Sequence, residues 1–124
     1  MDDYSVHNLT VSVSPAPSAS LYEVATFAGD LDKSGLASVK ERLESLAAQF
    51  SGRYLVFDFS QLNFINSEGI GFLMMIHTRL AKAGKSLVIV NAKPNVKDVF
   101  SVIGLLQVIE YFDSLENLKA KHGK

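Results

Sequence analysis

The chain contains no cysteine, only three prolines and three histidines, and no surplus of positive charge. Without cysteine there is no disulfide, no thiolate metal site and no cysteine nucleophile. The histidines, His7, His77 and His122, are too widely scattered for zinc-ligand spacing, so no metal and no other cofactor is expected. Twelve Lys and Arg against thirteen Asp and Glu leave a net charge of -1. That balance lacks the basic excess that drives sequence-independent nucleic-acid binding, and DNA or RNA is not expected as a direct partner. No apolar run approaches the ~18 residues of a membrane helix. The acidic start Met1-Asp2-Asp3-Tyr4 lacks the basic and apolar regions of a secretory signal. The expectation is a cytoplasmic protein with no membrane insertion.

What is present is apolar and periodic. At 124 residues and 48% apolar content the chain suits one domain, 1–124, with one substantial core. Val6 to Val13 alternates loosely, as a half-buried strand does, and Leu21 to Ala28 reads as a second strand. Between them, Ser14 to Ser20 holds two prolines and reads as a turn. Asp32-Lys33-Ser34 supplies cap residues for a helix in which Leu36, Val39, Leu43, Leu46, Ala47 and Phe50 recur at helical steps, ending near Ser51-Gly52. Tyr54 to Phe59 is a mostly continuous apolar run, broken only by Asp58, that predicts a central strand covered on both faces. A wide apolar stripe from Ser67 to Ala83 predicts a helix closed by Gly84.

Ser86 to Val90 is another buried strand, and Pro94 suits the first turn of a helix over Asn95 to Ile103 closed by Gly104. Val108 to Phe112 reads as a short edge strand. Ser114 to His122 reads as a C-terminal helix, with Glu116 early and Lys119, Lys121 and His122 late. The order β-β-α-β-α-β-α-(β)-α predicts an α/β fold, a mixed sheet of roughly four to five strands with about four helices and right-handed crossovers.

In such sheets function gathers where strands end and helices begin. Asn66-Ser67-Glu68-Gly69-Ile70-Gly71 lies at such a junction. A serine there either caps the helix or carries a phosphate, near free backbone N–H groups and a partly positive helix end. The glycines match neither the dinucleotide fingerprint nor the Walker pattern. A nucleophile would need a base, yet His77 stands ten residues down the same helix, about 15 Å away at 1.5 Å per residue. Asp30 and Asp32 in Gly29-Asp30-Leu31-Asp32 form either a turn beside the next helix or a partner-facing pair, and no further ligand for Mg²⁺ is near in sequence. Lys93-Pro94-Asn95 could meet an anion at a helix start, and Met74 and Met75 read as packing residues or partner contacts.

Three segments together resemble a known family: Gly29-Asp30-Leu31-Asp32, Leu62 to Leu73, and Val99 to Leu105. In register, they make the chain similar to the STAS domains of bacterial anti-sigma factor antagonists over about Leu9 to Leu118. The resemblance implies a non-enzymatic switch. The family's loop reads approximately Asp-Ser-Ser/Ala-Gly-Leu/Ile-Gly, and its first serine, matched by Ser67, is phosphorylated by an anti-sigma factor that is a GHKL-type serine kinase. A PP2C-type phosphatase restores it. The unphosphorylated form binds the anti-sigma factor and so releases a sigma factor. Gly69 and Gly71 match the two glycines, and with Asn66, Glu68 and Ile70 they are implied as partner-binding. Asp30 and Asp32 belong to the face that approaches the kinase. Asn66 replaces the family's acidic residue and Glu68 its small one, which leaves open a scaffold or interaction module of the same fold that is never phosphorylated. A monomer or weak homodimer is expected.

Overall fold

The computed structural model describes residues 9–14 and 21–123. Residues 6–8 of the first expected strand and 15–20 of the expected turn lie outside them. The elements follow the expected order: β1 (Leu9–Val13), β2 (Tyr22–Leu31), α1 (Lys33–Gln49), β3 (Tyr54–Ile65), α2 (Ser67–Lys82), β4 (Ser86–Val90), α3 (Pro94–Ile103), a 3-10 turn (Leu105–Gln107), β5 (Glu110–Phe112) and α4 (Leu115–His122). The five strands lie side by side in chain order, with β1 antiparallel to β2 and every later pair parallel.

Each parallel crossover steps to the next strand in the same direction, so crossovers of one hand stack their helices on one face. The burial pattern agrees. Leu55, Phe57 and Phe59 of β3 join Ala25 and Phe27 of β2 in a core with Leu36, Val39 and Leu43 of α1, Leu73, Ile76 and Leu80 of α2, and Phe100 of α3. Phe27 anchors it, its ring 4.7 Å from Phe57 and 5.1 Å from Phe59. The opposite face is smaller: Tyr22, Val56, Val88 and Val90 pack against Leu118 of α4. Leu55, Val56 and Phe57 are therefore all fully buried, as a doubly covered strand requires.

Two strands are longer than the sequence pattern predicts. The second strand runs to Leu31, past the expected end at Ala28, and the central strand runs to Ile65, past Phe59. The cause is irregular pairing. Register shifts between Thr26 and Ala28 and between Gly29 and Asp30 insert extra β3 residues opposite β2. Bulges of this kind bend the strand and break the two-residue alternation on which sequence reading depends. Gly29, at one of them, has φ of 118°, a conformation natural to glycine. The expected edge strand from Val108 shortens to Glu110–Phe112, because Leu105–Gln107 forms a 3-10 turn after the left-handed Gly104.

Candidate functional site

The carboxyl ends of β2 and β3 bring the starts of α1 and α2 together. Leu31 pairs with Ile65, and the Asn66 amide donates to the Leu31 carbonyl at 3.4 Å. Both helices sit close because glycine leaves room. A Cβ on Gly69 would stand 2.3 Å from the Leu31 carbonyl oxygen, and one on Gly35 would stand 2.3 Å from that of Asp30. Gly71 has no such role, since it is exposed and a Cβ there would meet nothing within 4 Å.

Asn66, not Ser67, caps α2. Its Oδ1 accepts from the backbone N–H of Glu68 at 3.0 Å and of Gly69 at 3.2 Å, and its carbonyl accepts from Ile70 at 2.9 Å. This corrects the capping reading of Ser67 and the expectation of free amides around it: two of those amides are already bonded. Asparagine and serine both cap well, so the pattern alone left the position uncertain by one residue. Ser67 is thereby pushed to the first helical position, where it is exposed and its hydroxyl has no hydrogen-bond partner among the described residues.

Ser67 stands on a ridge between two depressions. Toward α3 lies an apolar groove of about 510 Å³, lined by Asn66, Ser67, Ile70 and Met74 on one side and by Val99, Ile103, Gly104, Leu105 and Val108 on the other. Toward α1 lies a hollow of about 310 Å³ lined by Leu36, Lys40, Ser67, Glu68, Gly71, Phe72 and Met75. Glu68, exposed in the first turn, points its charge to this second side, and neither it nor Lys40 has an ion-pair partner among the described residues. Outside the groove proper, Val102 is 85% exposed and extends the apolar surface along α3.

The remaining candidates separate. Asp32 caps α1, its Oδ1 accepting from Gly35 N–H at 2.9 Å, and Asp30 lies inside β2, not in a turn. Among the described residues no group of acidic or histidine side chains is placed to hold a metal ion. Lys93 bonds the side chain of Asn63, and Asn95 donates to the Asn63 carbonyl at 2.9 Å, so this triplet ties α3 to the end of β3. Met74 and Met75 are half-buried against the core and border the two depressions. Sequence reasoning named Val99 to Leu105 but assigned it no site residue, and it passed over Lys40 and Val108. The available signal was α3 itself: of Val96, Val99, Phe100, Val102 and Ile103, only Val96 and Phe100 are buried.

The three segments therefore meet at one edge of the sheet, the second and third across the groove and the first behind them. Residues 22–118 match the STAS domain. The chain belongs to the STAS domain family. BtrV of Bordetella bronchiseptica, a candidate anti-sigma factor antagonist, is 33% identical over 79 residues, covering 61% of this chain and 68% of its own. Two solved structures share the fold. An anti-sigma factor antagonist from Mycobacterium paratuberculosis superposes with a TM-score of 0.77 at 21% identity, over 90% of this chain and 92% of that one. SpoIIAA in its unphosphorylated form gives 0.74 at 18% identity, over 93% and 98%. No helix among the described residues is long and apolar enough to cross a membrane.

Proposed function

We propose that this STAS protein is an anti-sigma factor antagonist, switched at Ser67 and docked through the groove beside it. The observation that carries this reading is an exposed, unbonded serine hydroxyl at the rim of an apolar groove. The name carried by BtrV points the same way, and SpoIIAA has been solved both phosphorylated and unphosphorylated. In the unphosphorylated state an anti-sigma factor, itself a GHKL-type serine kinase, covers Asn66, Ser67, Ile70 and the α3 wall, and its sigma factor goes free. Gly69, Gly71 and Glu68 shape the edge of that interface, with Asp30 and Asp32 behind it. The kinase then moves the γ-phosphoryl group of ATP to Ser67 Oγ, leaving ADP and releasing the hydroxyl proton. A PP2C-type phosphatase reverses the change by hydrolysis. The protein itself performs no chemistry in this scheme and works in the cytoplasm as a monomer or weak homodimer.

The switch is electrostatic. Phosphoserine adds about -1.5 to -2 charge, and a dianion keeps its hydration shell where the partner needs a dry contact. A coupling of only ~3 kcal/mol weakens binding more than a hundredfold. Intact mass after incubation with the cognate kinase and ATP should show one added phosphate, mapped to Ser67. Ser67→Asp should reduce partner affinity at least tenfold while Ser67→Ala keeps it. Phosphate on another residue, or none, sinks this reading. Asn66 and Glu68 then favour the second one, a scaffold module of the same fold that binds through the groove and is never modified.

A further inference from the structure

We infer that Lys40 is the internal counter-ion of a phosphate on Ser67 and shifts that phosphate toward the dianion at neutral pH. The inference rests on Ser67 being the modified residue. The first turn of α2 offers a phosphate little, because Asn66 Oδ1 already occupies the amides of Glu68 and Gly69. Among the described residues that line the groove toward α3 there is no basic group. The hollow toward α1 carries one, Lys40, a single turn beyond Leu36 on the wall that faces Ser67. Its ammonium has no ion-pair partner among the described residues, so no existing bond must break to receive the phosphate.

Glu68 gives a counter-ion a charge to offset. It borders the same hollow, and its carboxylate opposes a second negative group beside it. A phosphate's second ionisation lies near pH 6, so an uncompensated carboxylate neighbour would leave part of it monoanionic at neutral pH. A lysine bordering the same hollow favours the dianion and lowers that value. The same pull draws the phosphate to the α1 side of the ridge. The modified serine then presents charge at the rim of the groove without filling it.

The test uses the full chain with phosphoserine placed at position 67 during translation, so that it does not depend on any kinase. Titration followed by ³¹P NMR at low salt should give a second pKa lower in the wild type than in Lys40→Gln by roughly half a unit or more, the scale of a partly exposed pair. Lys40→Arg should restore the wild-type value, and 1 M salt should erase the difference. Lys82→Gln, at the far end of α2, should leave it unchanged. Identical titrations for wild type and Lys40→Gln overturn the inference, as does an equal shift from Lys82→Gln. A kinase that ignores Ser67 would defeat the functional reading alone, since this titration is read on phosphate installed without it.

Discussion

Two glycines in one motif do opposite work at the residue scale. Gly69 is buried where α2 meets the end of β2, and any side chain there collides with the Leu31 carbonyl and with Ile65. Gly71, two residues on, is exposed with open space around it, so its effect on stability is only the backbone freedom that glycine loses in a helix. Gly69→Ala should therefore lower stability by about 1–3 kcal/mol, the usual cost of overpacking. Gly71→Ala should raise it by up to about 1 kcal/mol. Urea denaturation of both variants checks the pair, and equal shifts of the same sign would contradict the packing described. The sequence motif could not separate them, because its spacing shows two glycines near a helix start and nothing of the carbonyl beneath the first. It also could not tell whether Asn66 or Ser67 capped, which depends on which side chain reaches the amides of Glu68 and Gly69.

At the scale of elements, legibility tracked regularity. The helices α1, α2 and α4 keep close to their expected bounds because apolar steps, caps and closing glycines agree with one another. The strands β2 and β3 outran theirs because bulges near Thr26 and Gly29 scramble the alternation just where both strands approach the site. The motif in Gly29-Asp30-Leu31-Asp32 thus looked like a turn, although three of its four residues belong to β2. α3 keeps its expected place as a helix, yet its pattern shows more apolar residues than the core takes up, with Val99, Val102 and Ile103 left exposed. Only Val96 and Phe100 of this helix turn into the core. That surplus predicts a partner surface. Ile103, half-exposed at the end of α3 and lining the groove, should accept Ile103→Lys with a stability change within about 0.5 kcal/mol. The same change should weaken anti-sigma factor binding at least tenfold in a titration calorimeter. Unchanged affinity would remove the groove from the docking surface.

Across the whole molecule the two faces of the sheet are unequally covered. Three helices bury one face, while the other relies on the eight residues of α4. Its last turn is held by polar and ring contacts together. Glu110 of β5 accepts from Lys121 at 2.7 Å and contacts the His122 ring nitrogen Nε2 at 2.8 Å, while the Tyr54 hydroxyl meets His122 Nδ1 at 3.1 Å. The His122 ring also stacks on Tyr54, 4.6 Å between centroids. Burial raises the Glu110 carboxyl, but its bonds to Lys121 and His122 outweigh that and hold it below the ordinary value. A carboxylate depressed by folding stabilises above its unfolded pKa of about 4.3, and that contribution disappears as pH falls through the lower folded value. Acid should therefore loosen α4 before the helices on the other face. Hydrogen-exchange protection factors over residues 115–122 should fall between about pH 5 and 3 while those of α2 hold. In Glu110→Gln, protection of α4 should be lower at neutral pH and nearly flat across that range. An equal acid-induced fall in the variant would place the sensitivity elsewhere. Loosening α4 uncovers Tyr22, Val56, Val88 and Val90, on the face turned away from α2 and α3. The apolar groove beside Ser67 should accordingly keep its shape, and anti-sigma factor affinity should be the same for Glu110→Gln and wild type at neutral pH.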